Sequence, residues 1–308
     1  MAKRGVDIGS QTNERSGNAR GILLIIFAVA GFSCMDAAAK WLNSYEHVFQ
    51  TLSARYVGSF LVTVFFLNPR TRPGILRSSR PLLQIVRGLF VFSSSLCVFM
   101  ALKTLPLTVL TSITFAAPLL VALLAGPILG ETLGPRRAVA IVVGFIGVLV
   151  ITRPGTDDFD AGMWLALGAA LSNTGYFLIT RVLSRHDAPE TTHLYTGVVG
   201  ALVSLPLALP VWQTPTAVGI WLAIAFISLA GAGSHWLLIL AHKHAPASVL
   251  SPFFYAQLLF AALVGWIVFG SVPDRWTILG GSIVIGSGLY LVYRERVRHR
   301  TPSVDVAA

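Results

Sequence analysis

Charge is the scarcest ingredient of this chain. Only 12% of its 308 residues are Asp, Glu, Lys or Arg, where a soluble domain carries about 25%. With 55% hydrophobic residues, too few polar groups exist to cover a surface facing water. A water-soluble globule is thereby excluded. Acidic groups are rarer still: 13 stand against 23 Lys and Arg, leaving a net charge of +10. Cysteine is nearly absent. Cys34 and Cys97 both lie inside apolar runs, which excludes a disulfide framework and offers no thiolate spacing for a metal. Both read as small buried hydrophobes. No His-Glu-x-x-His or Gly-x-Ser-x-Gly pattern occurs, and Gly231-Ala232-Gly233 and Gly280-Gly281 come with no Walker lysine. Those glycines suit close helix packing instead. The chain is therefore not read as an enzyme, and no catalytic residue, metal or cofactor is assigned.

What the sequence does contain is length without charge. Apolar runs cover roughly 21–40, 48–67, 81–102, 107–129, 137–152, 161–181, 192–210, 217–240, 246–269 and 275–292. Each suits a membrane crossing of about 20 residues. The runs are continuous and lack the alternation of a membrane barrel, so the spans are helices whose backbones satisfy themselves. The sequence predicts an all-α integral membrane protein with ten transmembrane helices. Residues 1–20 are expected to form a disordered cytoplasmic tail and 293–308 a basic cytoplasmic tail. Ala37-Ala38-Ala39 after the first run imitates a signal-peptide cleavage site, but the many later spans favour a retained helix.

Lys and Arg orient the bundle. Segments assigned to the inside hold Arg70, Arg72, Arg77, Arg80, Arg136, Arg137, Arg181, Arg185, Lys243 and the basic tails; the outside segments hold only Lys40, Lys103, Arg153 and Arg275. Both termini are thus placed in the cytoplasm, and the resemblance described below implies the inner membrane of a bacterial cell. Basic residues scattered in short loops do not make a nucleic-acid face; the partners expected are the lipid bilayer and a small-molecule substrate. A homodimer is left open.

An internal repeat divides the chain. Ala101, Lys103, Pro106, Val109, Leu110, Ala116, Leu119 and Gly130 recur 140 residues later as Ala241, Lys243, Pro246, Val249, Leu250, Ala256, Leu259 and Gly270. Two units follow, 21–152 and 161–292, with five spans each. An odd span count inverts the second unit, giving two inverted five-helix repeats. That is the logic of secondary transporters that bind substrate between their halves.

The residues of this repeat carry a family resemblance. Ala101-Leu102-Lys103, Pro106, Pro118, Leu129-Gly130-Glu131 and Gly144-Phe145-Ile146-Gly147-Val148 in one half, with Ala245-Pro246-Ala247-Ser248, Phe269-Gly270, Pro273-Asp274 and Gly286-Ser287-Gly288-Leu289-Tyr290 in the other, resemble EamA-type members of the drug/metabolite transporter superfamily. The second half has Gly270-Ser271 where the first has Gly130-Glu131, so a role for that Glu is not duplicated. The resemblance implies transport of a small organic metabolite by alternating access without ATP. Asp36, Lys40 and Arg55-Tyr56 are similar to a subgroup that includes bacterial riboflavin transporters, which makes riboflavin or a similar polar ring-bearing metabolite the leading candidate. Export of amino acids or their derivatives is the alternative, and a non-transporting membrane scaffold a remote one.

Ionisable groups inside spans mark candidate substrate contacts, because they are expensive there. Asp36 and Arg55 lie at similar depth and are expected either to face each other and the substrate, or to separate into an Asp36–Lys40 pair and a snorkelling arginine. Arg87 either snorkels or binds a substrate anion. Thr108, Thr111 and Phe115 map onto Ser248, Ser251 and Tyr255, and the spacing puts each set on one helical face. With Gln257, Asn173 and Tyr176 they suit the walls of a polar cavity, next to kinks at Pro118 and Pro252; simple interhelical hydrogen bonding is the plainer account. His193 and His235 are candidates for proton coupling, His235 the stronger.

Overall fold

A computed structural model describes residues 8–67, 73–129, 134–156, 159–245 and 247–300. Among them no strand occurs. The helices are α1 (Ile8–Leu42), α2 (Val48–Leu67), α3 (Pro81–Ala101), α4 (Leu107–Thr114), α5 (Ala116–Leu129), α6 (Pro135–Thr152), α7 (Ala161–Leu183), α8 (Pro189–Ala208), α9 (Val218–His244), α10 (Ala247–Phe254), α11 (Ala256–Phe269) and α12 (Arg275–Arg300).

Their ends follow local chemistry. Pro81, Pro135 and Pro189 open α3, α6 and α8, where a missing N–H costs nothing. Asp160 caps α7 by accepting from the Gly162 amide at 2.7 Å, and Asp274 caps α12 through the Thr277 amide at 2.8 Å. Gly270, at φ 63°, closes α11 in the left-handed region that glycine enters without steric cost.

Ten crossings result. The fourth and ninth are each split, α4 from α5 at Phe115 and α10 from α11 at Tyr255, residues 140 positions apart. Pro118 accounts for the first break, because its missing N–H leaves the Thr114 carbonyl without its helical partner; Pro252 lies before the second, where the Tyr255 amide bonds instead to the Pro252 carbonyl at 3.4 Å. Nine spans among the described residues pass as membrane crossings by length and composition. The remaining crossing, α7, is 23 residues long but carries Ser172, Asn173, Thr174 and Tyr176, which make it more polar.

One expectation needs correction. Residues 8–20, read as disordered tail, continue α1 as helix. Once the first span has nucleated a helix, each further residue adds a hydrogen bond at little cost, and the polar residues there do not stop it.

The halves, α1–α6 and α7–α12, pack mainly against each other. α1 lies along α9 as α7 lies along α3; α2 meets α9 as α8 meets α3; α1 meets α11 as α7 meets α5; α1 meets α10 as α7 meets α4. Two pairs, α2 with α8 and α6 with α12, are their own images. This is a pseudo-twofold, and it explains why five-helix units persist as one bundle: each covers the other's polar face.

The bundle is apolar outside and polar within. Phe65, Phe66, Leu82 and Leu259 are each more than 70% exposed, whereas Gln50, Arg55, Gln84 and Arg87 are at most 6% exposed. That inversion suits a lipid solvent.

α6 and α12 cross with backbones almost touching. A Cβ on Gly147 would stand 2.8 Å from the Gly280 carbonyl oxygen, and one on Gly280 would stand 2.5 Å from that of Gly147. Neither backbone can step aside as a side chain could. Gly280→Ala is therefore expected to destabilise the protein by about 1–3 kcal/mol, the cost of overpacking. Thermal unfolding in detergent reads this, and an unchanged midpoint would show that the crossing is looser than it looks.

Candidate functional site

Call the membrane face from which α1 starts the near face, and the other the far face. Asp36 lies about 9 Å along α1 from its far end, and Arg55 about 10 Å along α2 from its own, at 1.5 Å per residue. The two form one layer. The Arg55 guanidinium donates from Nη1 to Ser95 Oγ at 2.8 Å, and its carbon stands 4.9 Å from the Tyr56 ring centre and 5.6 Å from that of Phe99. Tyr56 shares the same acceptor, donating to Ser95 Oγ at 2.9 Å. Gly231 of α9 leaves room beside it: a Cβ there would meet Ser59 Oγ, Met35 Sδ and Arg55 Nε at 3.1, 3.4 and 3.6 Å.

Asp36 is close enough to Arg55 to feel its charge, yet no ion pair joins them among the described contacts. Nor does Lys40 reach Asp36. Its ammonium donates to the carbonyls of Leu102 and Leu105, both at 2.7 Å, in the turn that follows α3, where backbone acceptors are left over. The i,i+4 pair considered from sequence therefore does not form. A positive charge gains more from two orphan carbonyls at a helix C-terminus than from one neighbour on its own helix.

A second layer sits nearer the near face. Arg87 is 5% exposed, and it turns into the bundle rather than toward the membrane surface. Nε donates to Thr180 Oγ1 at 2.7 Å, and Nη1 to Thr196 Oγ1 at 2.7 Å and to the Thr192 carbonyl at 3.2 Å. The Tyr176 ring lies 4.6 Å from the guanidinium carbon. Arg87 thus ties α3 of one half to α7 and α8 of the other. His193 and His235 connect the layers, with ring centres 5.9 Å apart. His193 Nε2 lies 3.1 Å from Thr63 Oγ1, and His235 stands edge-on to Phe32 at 4.9 Å.

Between the layers, Phe115 and Tyr255 at the two helix breaks meet edge to face at 5.1 Å. The repeat-matched wall positions thus come together on the pseudo-axis. Thr111 and Tyr255 are buried; the side chains of Ser248 and Ser251 lie outside the described residues. Gln257 follows the second break, and its carbonyl accepts from Ser33 Oγ of α1 at 3.2 Å. The side chains of Asn173 and Gln257 are half-buried, with no hydrogen-bond partner given among the described residues. The structure thus places Asp36 and Arg55 in one layer and Arg87 with Tyr176 in another, with the His193–His235 pair at intermediate depth, so that polar groups form a column through the bundle. Thr111 and Tyr255 sit beside it at the breaks.

Two junctions that sequence reading passed over tie the halves together, one near each face. On the near face Asp187, just before α8, accepts from the Ser78 hydroxyl, from the Ser79 amide at 2.9 Å and hydroxyl at 2.8 Å, and from Gln84 Nε2 at 2.8 Å. On the far face Gln50, at the start of α2, donates to the Gln213 carbonyl at 2.7 Å and accepts from its amide at 2.9 Å. Nothing in the sequence signals either, because each partner is a polar residue in or beside a loop, more than 100 positions away.

Partial burial would raise the Asp187 carboxyl, but hydrogen bonds from Ser78, Gln84 and Ser79 outweigh it and hold the group at about 2. Its contribution to stability is therefore fully present above the unfolded value near 3.9 and is lost as pH falls through about 2. The melting difference between wild type and Asp187→Asn should stay constant from pH 8 to 5 and shrink only below about pH 4. A difference that vanishes near neutrality would contradict this bonding.

Comparison with known proteins agrees with this architecture. An S-adenosylmethionine uptake transporter of Rickettsia prowazekii is 31% identical over 278 residues, 90% of this chain and 93% of the relative. A riboflavin transporter of Vibrio cholerae is 34% identical over 189 residues, covering 61% of this chain and 63% of the relative. A solved crystal structure, 16% identical, superposes with a TM-score of 0.62 over 93% of this chain and 99% of its own, which supports the fold alone. The model of the EamA-like transporter family matches twice, at residues 19–153 and 160–294, one match on each half of the pseudo-twofold. This chain is a member of the EamA-like transporter family.

Proposed function

We propose that the protein is a secondary carrier that moves a small, polar, ring-bearing metabolite across a bacterial cytoplasmic membrane by alternating access. The observation that carries this reading is the polar column buried between two pseudo-symmetric halves, with one junction at each end. A channel needs no such paired closures; a carrier needs both. The excess of Lys and Arg on near-face loops favours a cytoplasmic near face, hence cytoplasmic termini.

An S-adenosylmethionine-like solute, an amino-acid chain on a nucleoside, is the leading candidate. The relatives of that name span nearly the whole chain, and the column offers charges of both signs. Riboflavin is the second reading, favoured by the aromatic Phe115–Tyr255 contact and by the riboflavin-transporter relative. The test is counterflow in proteoliposomes. Vesicles preloaded with unlabelled S-adenosylmethionine, riboflavin or amino acids are assayed for uptake of the labelled solute. Saturable uptake driven by exchange is expected for one of them. Flux that never saturates, or none for any member of the panel, would overturn the carrier. Imposing a pH gradient in the same vesicles tests coupling through the His193–His235 pair: flux indifferent to the gradient removes that role.

A further inference from the structure

We propose that Asp36 and Arg55 form a split head-group site for the zwitterion of an α-amino acid, with Arg55 taking the carboxylate and Asp36 the ammonium. The inference rests on the carrier reading above and assigns its substrate chemistry to named atoms.

Opposite charges buried side by side ordinarily close into contact, because only contact and hydrogen bonding offset their desolvation. Here they do not close. Asp36 and Arg55 share a layer and interact electrostatically, yet no hydrogen bond or ion pair joins them among the described residues. The nearest competing cation has another task, since Lys40 donates to the Leu102 and Leu105 carbonyls. The Asp36 carboxylate is left with no protein donor among the described residues, although it lies inside a span.

Arg55 is the complement. A guanidinium carries five N–H donors, and among the described residues it makes one hydrogen bond, to Ser95. Tyr56 and Phe99 flank it, so the ring faces hold the group without using its donors. Gly231 keeps side-chain bulk away from Nε. The fork is oriented and its donors remain available, which is the state suited to a carboxylate.

The two unmet charges decide the ligand class. An inorganic anion would satisfy Arg55 but be repelled by Asp36. A simple amine would satisfy Asp36 but be repelled by Arg55. A divalent cation would find a single carboxylate and a guanidinium. A solute that carries carboxylate and ammonium on one carbon answers both charges at once, and its ring-bearing body would extend toward the half-buried amides of Asn173 and Gln257.

The experiment is counterflow of purified protein in proteoliposomes with matched probes: S-adenosylmethionine, its decarboxylated form, and the analogue that lacks the amine. Wild type should prefer the intact zwitterion at least tenfold over either analogue. Arg55→Gln should erase the preference over the decarboxylated form while keeping that over the amine-less one, and Asp36→Asn should do the reverse. Arg55→Lys, which keeps the charge, should keep the carboxylate preference; thermal stabilisation by the same probes gives a readout independent of flux. If the variants retain the wild-type order of probes, or if wild type carries the analogues as fast as the parent, the head-group site is wrong. Uptake of riboflavin alone would overturn this site and leave the carrier standing, whereas no exchange of any solute would sink the carrier itself.

Discussion

Joining Ser78→Cys to Asp187→Cys with a short bifunctional thiol reagent should cut transport at least tenfold, with full recovery when the link is cleaved by reductant. The pair sits in the near-face junction, where Asp187 holds the chain leading into α3. The far-face junction is its counterpart under the pseudo-twofold. α2 corresponds to α8 and α3 to α9, so the start of α8 holding the start of α3 is the same device as the start of α2 holding the segment before α9. Gln50 performs the second role through Gln213, with Glu46 accepting from Gln50 Nε2 at 2.6 Å.

The two are not equal in strength. Asp187 is a charged acceptor with four donors, and charge-assisted bonds are roughly twice as strong as neutral ones. Across the far-face junction Gln50 makes only neutral amide bonds to Gln213, its bond to Glu46 staying within its own half. A carrier that opens one end at a time must break each junction in turn, and a covalent bond at the near face forbids half of the cycle. Counterflow before linking, after linking and after reduction measures this, in a background where Cys34 and Cys97 are Ser. Full flux through a verified cross-link would show that the near-face junction never opens during transport.

Arg87→Leu should destabilise the fold by about 1.5–3 kcal/mol, the scale for losing hydrogen bonds to a charged group. It should do so whatever solute is present. Arg87 spans the two halves, with Thr180 on α7 and Thr192 and Thr196 on α8 as its acceptors. The threonine hydroxyls survive the loss, because Thr180 also donates to the Tyr176 carbonyl and Thr196 to that of Thr192. The damage is thus to the bridge between halves rather than to stranded polar groups. Arg87→Lys supplies the charge but not the planar fork, and should recover only part of the stability. Melting in detergent with and without S-adenosylmethionine separates the roles. A bridging arginine lowers both midpoints equally; a substrate-binding one would mainly reduce the gain from the solute.

The contrast between these arginines shows what sequence could carry. Arg55 and Arg87 both read as costly charges within spans, each with an inward and a snorkelling account. Only the fold distinguishes their surroundings. Arg87 meets acceptors contributed by α7 and α8, over 90 positions away, and is filled by them. Arg55 meets Ser95 and two aromatic rings and is not. Lys40 makes the same point: its spacing from Asp36 favoured a local pair, but the end of α3, invisible as a neighbour in the sequence, supplied better acceptors.

The sequence by itself determined the ten crossings and the two matched halves, and it placed kinks at prolines three residues from the observed breaks. Those follow from local quantities: runs of apolar residues, their punctuation by proline and polar turns, and a 140-residue repeat that copies one supersecondary plan. Tertiary structure alone decided which charges are spent and which are left open, and that the starts of α2 and α8 tie the halves together near the two faces. Such pairings depend on how one half lies against the other, and a hydrogen bond's partner is set by position in space, not by separation along the chain.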